Sequence, residues 1–146
     1  MKKIILLCLS MLLLTSYGCN KKDVDPVHYF YSIALTFENQ SGDNLVTGIP
    51  YLEKEQRIPY SEYTRTAWAE NGIELLTAEL KTIKDENGED AILLDGMTWE
   101  HVSPIITQKL VCPYIFGDNN EHVLVSYWEE LPDSKHTCTG FTFDGK

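Results

Sequence analysis

From Tyr31 to Phe37 the chain alternates. Tyr31, Ile33, Leu35 and Phe37 are apolar, and Ser32, Ala34, Thr36 and Glu38 fall between and after them. A period of two predicts a strand with one buried face. Asn39, Gln40, Ser41, Gly42, Asp43 and Asn44 follow, all residue types that suit turns. Leu45, Val46 and Thr47 then read as the start of a second strand, ended by Gly48 and Pro50.

Residues 51–72 carry conflicting signals. Ser61 can cap a short helix over 62–70, with Gly72 just past its end. Thr64 and Thr66 are stiff and favour a strand instead. The segment therefore reads as irregular structure or one short helix. Further on, residues 75–83 and 91–94 flank a polar stretch centred on Asn87-Gly88, a strong hairpin signal. A second hairpin is predicted from residues 106–116 and 121–129 around Gly117, Asp118, Asn119 and Asn120, with Pro113 marking an edge or a bulge. Val123, Val125 and Tyr127 share one face of its return arm, and Leu124, Ser126 and Trp128 share the other. Both faces are partly apolar, as in a central strand. Residues 137–143 form a last strand, with Phe141 and Phe143 facing one way.

Six to eight short strands within about 120 residues predict an all-β domain. The expected architecture is an antiparallel β-sandwich, Ig-like or similar, with one short helix at most. A small β-barrel is the alternative. Trp128 lies between Cys112 and Cys138, but this is no clean Ig signature. No internal repeat is visible.

The N-terminus carries a different pattern. Lys2 and Lys3 precede an apolar run over residues 4–14, broken only by Cys8 and Ser10. This is the layout of a signal peptide, too short for a stable membrane span. The run ends in Ser16-Tyr17-Gly18-Cys19. Here the chain resembles bacterial lipoproteins, with Ser16 standing where that family usually has Leu. The resemblance implies cleavage before Cys19 and a diacylglycerol on its thiol. A secreted protein cut elsewhere is the other possibility. Lys21, Lys22 and Asp23 are similar to the export tags of surface lipoproteins in the Bacteroidota, or else form a plain solvated linker. The resulting organisation is a signal peptide over 1–18, a tether over 19–27 ending beyond Pro26, and one β-rich domain over 28–146. The expected location is the cell envelope, lipid-anchored to the outer membrane on either face.

Charge narrows the choice of partners. The 146 residues carry a formal charge of −10, and loss of Lys2 and Lys3 with residues 1–18 would make it −12. A nucleic-acid binder needs a basic face, so none is expected. Cys112 and Cys138 are an even pair in an oxidising compartment and are expected to form a structural disulfide. Closing a loop of about 27 residues would stabilise the fold by roughly 3–4 kcal/mol.

Motifs for chemistry are sparse. There is no G-x-S-x-G, no Ser-x-x-Lys and no Gly-rich phosphate loop. His28, His101, His122 and His136 lack metal-ligand spacing. Asp85, Asn87, Glu89 and Asp90 cluster at a hairpin tip in a manner calcium tolerates, but without the EF-hand order. A solvated turn is the plainer reading. No cofactor, no metal and no catalytic residue is expected. The remaining lead is aromatic: Tyr60, Tyr63 and Trp68, in the irregular segment, are the residues expected to be exposed together as a ligand platform. The function expected is that of a non-catalytic binding or accessory module for a glycan or a protein. A structural or assembly component of the outer membrane and a small hydrolase or inhibitor are the alternatives.

Overall fold

The structure, a computed structural model, describes residues 28–132 and 135–146. The signal peptide, Cys19 and the tether lie outside the described residues.

The chain builds two antiparallel four-stranded sheets and no closed barrel. In the first, β1 (Tyr29–Leu35) pairs with β5 (Asp90–Thr98), and β5 pairs on its other side with β3 (Leu76–Thr77) and β4 (Lys81–Lys84). The second has the order β2-β6-β7-β8, made of Thr64–Ala69, Ile105–Val111, His122–Leu131 and Lys135–Phe143. Only short helices interrupt them: α1 (Pro50–Glu55), a 3-10 turn at Tyr60–Glu62, and α2 (Pro113–Phe116). The sheets pack face to face over one core.

Alternation along β1 holds as expected: Tyr31, Ile33, Leu35 and Phe37 are all buried. β7 is indeed central, paired with β6 and β8. Three local expectations fail. Residues 45–48 form a turn rather than a strand, because the Asn44 side chain accepts the Val46 N–H and Gly48 sits at φ 83°. The helix over 62–70 is absent. That segment is β2, as Thr64 and Thr66 favour, and Gly72 instead makes the tight turn by which Leu75 N–H reaches the Ala67 carbonyl. The helix lies earlier, where Pro50 supplies a preset first-turn φ. Likewise Pro113 opens α2, so the first arm of the second hairpin ends at Val111.

The expected disulfide is not formed: Cys112 and Cys138 are both free thiols. Register explains why. Leu110 pairs with His122, while Cys138 pairs with Trp128. The two cysteines are therefore about eight residues apart along the sheet, roughly 26 Å, and separated laterally by β7. A disulfide needs Cα atoms within about 7 Å.

The centre of the molecule holds a cation. Opposite Leu94 and Asp95 of β5, the edge between β3 and β4 carries three residues, Ala78, Glu79 and Leu80. This bulge leaves main-chain groups without ladder partners. Arg65 of β2, 9% exposed, crosses the core to supply them. It donates from Nη1 to the Ala78 carbonyl (3.2 Å) and from Nη2 to the Asp95 carbonyl (2.7 Å). Its Nε and Nη2 also donate to Gln108 Oε1, at 3.0 and 2.8 Å. The buried Tyr63 hydroxyl accepts the Leu80 N–H, and Ile58 N–H donates to the Leu80 carbonyl. Burial pushes the guanidinium down to about 10, against the support of Tyr63 and Asp95, so it remains the cation at neutral pH.

The C-terminus is held by a second cluster. His122 Nδ1 lies 2.8 Å from Asp144 Oδ2, and its Nε2 lies 3.2 Å from Asp118 Oδ1. Asp144 Oδ1 also accepts the Val123 N–H. Burial works against the charge on His122, but hydrogen bonds and charge from Asp144 and Asp118 raise its pKa overall. At Asp144 burial is likewise outweighed, by the Val123 N–H and His122, and its pKa falls. The Asn120 N–H is the main cause of the lowered pKa at Asp118.

Three outcomes follow from this architecture. Arg65→Ala should cost about 3 kcal/mol in urea unfolding, since Gln108 and two carbonyls lose their donor. Arg65→Met combined with Gln108→Leu should cost clearly less than the sum of the single changes; additive costs would show the two side chains to be uncoupled. Reductant should leave Tm unchanged, and thiol titration of the unfolded, unreduced mature chain should find both Cys112 and Cys138 reactive. The His122 cluster should stabilise most between about pH 4 and pH 6.5. The depressed carboxylates contribute above the unfolded Asp pKa and lose that contribution as pH falls through their folded values. The raised His122 contributes below the unfolded His pKa and loses its share as pH rises through the folded value. The Tm gap between the native chain and His122→Gln should therefore narrow as pH rises past neutrality.

Candidate functional site

The three aromatics expected to be exposed together do not share an exposed surface. Tyr60, in the 3-10 turn, is 58% exposed. Tyr63 is 7% exposed, its hydroxyl spent on Leu80. Trp68 alternates out of phase with the inward Arg65, Ala67 and Ala69, so it lies half-buried on the outer face of the second sheet, paired with Thr107. The Tyr60 and Tyr63 rings approach to 5.7 Å, but only Tyr60 meets solvent broadly.

The aromatic surface is elsewhere. Because Tyr31 and Ile33 face inward, Phe30 and Ser32 face outward on β1. Register places Phe30 opposite Met97 and Met97 opposite Leu76, so three apolar side chains form a row across β1, β5 and β3. Phe30 is 60% exposed and Leu76 is 54% exposed. One step along, Ser32 pairs with Asp95, and the Ser32 hydroxyl donates to the Asp95 carboxylate. Together these residues line an open groove of about 510 Å³ with Thr77 and Ala78 at its side. His28 extends the surface, meeting Phe30 at 6.2 Å and Trp99 at 5.8 Å, both edge-on.

This groove can seat an apolar group and offer it one carboxylate. Its lining holds one hydroxyl–carboxylate pair, Ser32–Asp95, and no imidazole or basic side chain stands among the lining residues. Sequence parity carried its signal: once Tyr31 is assigned inward, Phe30 must point outward. Leu76 and Asp95 carried no comparable signal, since strands β3 and β5 meet only through the fold.

The other candidate clusters are self-satisfied. Asp85 Oδ1 accepts the N–H groups of Asn87 and Glu89, and Asp90 pairs with Lys84 at 2.7 Å. The hairpin tip is thus a capped turn. His122, Asp118 and Asp144 saturate one another. Among the described residues no group of His, Cys, Asp or Glu is placed to hold a metal ion. Nor is any helix among them long and apolar enough to cross a membrane.

No family model, curated protein or solved structure matches the chain.

Proposed function

We propose that the protein is a non-catalytic accessory module of the cell envelope, anchored through a lipid on Cys19, that docks a partner protein through the outer face of its first sheet. The observation that carries this reading is the row Phe30–Met97–Leu76 set beside the Ser32–Asp95 pair. Monomeric surfaces scatter large apolar side chains singly, and a contiguous row with a polar rim marks a contact surface. Methionine in the middle of the row adapts to irregular apolar partners. The fitting partner surface presents an apolar side chain to Phe30 and Leu76 and a Lys or Arg to Asp95. A cationic partner also suits a chain of net charge −10. The Gly18-Cys19 leader supports the anchor, which would hold the groove within a tether of residues 20–27, at most about 30 Å of extended chain.

The test is cross-linking from the envelope with the native lipidated chain, compared with Phe30→Ser and Asp95→Asn. Phe30 is too exposed for its replacement to cost more than about 0.5 kcal/mol of stability. A partner recovered by the native chain should be lost with Phe30→Ser and should become less salt-sensitive with Asp95→Asn. Equal recovery by all three chains would defeat the proposal, as would an intact mass showing Cys19 unmodified for the anchor.

A further inference from the structure

At one end of the sandwich β1 begins, β5 finishes and the β7–β8 hairpin closes. His28 and Trp99 are the next residues beyond the Tyr29–Thr98 pair, and Leu131 pairs with Lys135 at the hairpin. His101 Nε2, 3.7 Å from Glu130 Oε2, ties the loop after β5 to β7. Apolar exposure gathers at this end. Among the described residues, the broadly exposed large apolar side chains without a hydroxyl are Phe30, Leu76, Trp99, Phe141 and Leu131. All but Phe141 belong here. Phe30 and Leu76 flank Met97, one residue short of the end of β5. Phe30 and Leu131 line one shallow hollow where β1 meets β8. Trp99, 52% exposed, continues the outward parity of Met97 and lies roughly 7 Å beyond the Phe30–Met97–Leu76 row.

This is also the end from which the chain runs back toward Cys19. Residues 20–27 span at most about 30 Å. Strand β5, nine residues long, spans about the same length. The opposite end of the sandwich therefore reaches an anchoring surface only with the tether drawn out to its limit, a state that costs chain entropy. The end bearing Trp99 and Leu131 meets that surface with slack to spare.

We propose that Trp99 and Leu131 rest in the headgroup layer of a zwitterionic phospholipid leaflet, so that the domain stands on the membrane at this end. The inference rests on the reading of Cys19 as a lipid anchor. An indole combines an apolar body with one N–H, and that combination settles at a membrane–water interface. Glu100 and Glu130, both exposed, keep this end out of the hydrocarbon and away from anionic lipid. They can pair with the ammonium groups of phosphatidylethanolamine, and Lys135 with its phosphates. Two apolar side chains make a weak contact by themselves. The lipid on Cys19 would supply the high local concentration at which such a contact counts. The Phe30–Met97–Leu76 row then stands just above the headgroups, open sideways to its partner.

The experiment uses the native lipidated chain in vesicles of phosphatidylethanolamine and phosphatidylcholine, with and without bromine near the headgroup end of the acyl chains. Bromine should quench the emission of one of the three tryptophans. Trp99→Phe, at an exposed position that folding tolerates, should abolish the quenching while the chain still floats with the vesicles. Leu131→Gln should reduce it, and Phe30→Ser should leave it in place, so the membrane contact and the docking row are separable. Flotation without quenching would overturn the contact and leave the anchor and the docking row standing. Quenching that survives Trp99→Phe would overturn it as well, since another face would then touch the lipid. A chain that fails to float would remove the anchor, and the contact with it.

Discussion

The structure depends on a bulge and the cation that answers it. Three residues of the edge, Ala78, Glu79 and Leu80, oppose two of β5. A sheet cannot leave the freed carbonyls unpaired in a dry core without a cost of kilocalories each. Arg65 is the one side chain with enough donors and reach to serve Ala78 and Asp95 from the opposite sheet. A buried guanidinium is costly in its turn, and no carboxylate meets it face to face. Its charge is spread instead over two carbonyls and Gln108, a neutral acceptor that takes two of its N–H groups. The arrangement fixes the spacing and register of the two sheets, since sliding either would break the set.

The same interruption shapes the surface. On the core side the bulge delivers carbonyls to Arg65. On the outer side it breaks the continuity of the edge and leaves Thr77 and Ala78 bordering the groove. Asp95 belongs to both sides, its carbonyl bonded to Arg65 and its carboxylate bonded to Ser32. Position and charge of the groove's only carboxylate are thus set by the element that holds the core together. A rigid scaffold behind a recognition surface lowers the ordering cost of binding.

How much of this could be read from the chain depends on range. Alternation along β1, the Asn87-Gly88 turn and the two-faced apolar pattern of β7 are local, and each was legible. β2 was obscured because its inward face reads Arg65, Ala67 and Ala69, which is not a hydrophobic stripe. The supposed disulfide failed for a non-local reason: the cysteines sit at opposite ends of the sheet, a fact of register that spacing in sequence does not encode. His136 is the most instructive case. Parity with Phe141 and Phe143 would send it outward with the even-numbered residues of β8. The register shift between Tyr127 and Trp128 leaves Thr139 as an extra residue, its hydroxyl bonded to the Tyr127 carbonyl. That bulge reverses the phase and turns Cys138 and His136 toward the core, where Tyr31 and Trp128 meet them.

Strand β1 then serves the outer surface and the core by alternation alone. Its even residues, Phe30 and Ser32, build the outer groove, while Tyr31 between them packs into the core against Trp128 and His136. β1 is an edge strand bonded only to β5, and it meets β8 through side chains rather than a ladder. Such an edge would be exposed to pairing with another chain. Here the Tyr31–His136 and Phe37–Phe143 contacts cover the flank at two points along its length. The aromatic residues at this seam therefore do the covering that a further strand would otherwise provide. A single bulge in β8 and a single alternation in β1 suffice to bring the His136 imidazole onto the Tyr31 ring.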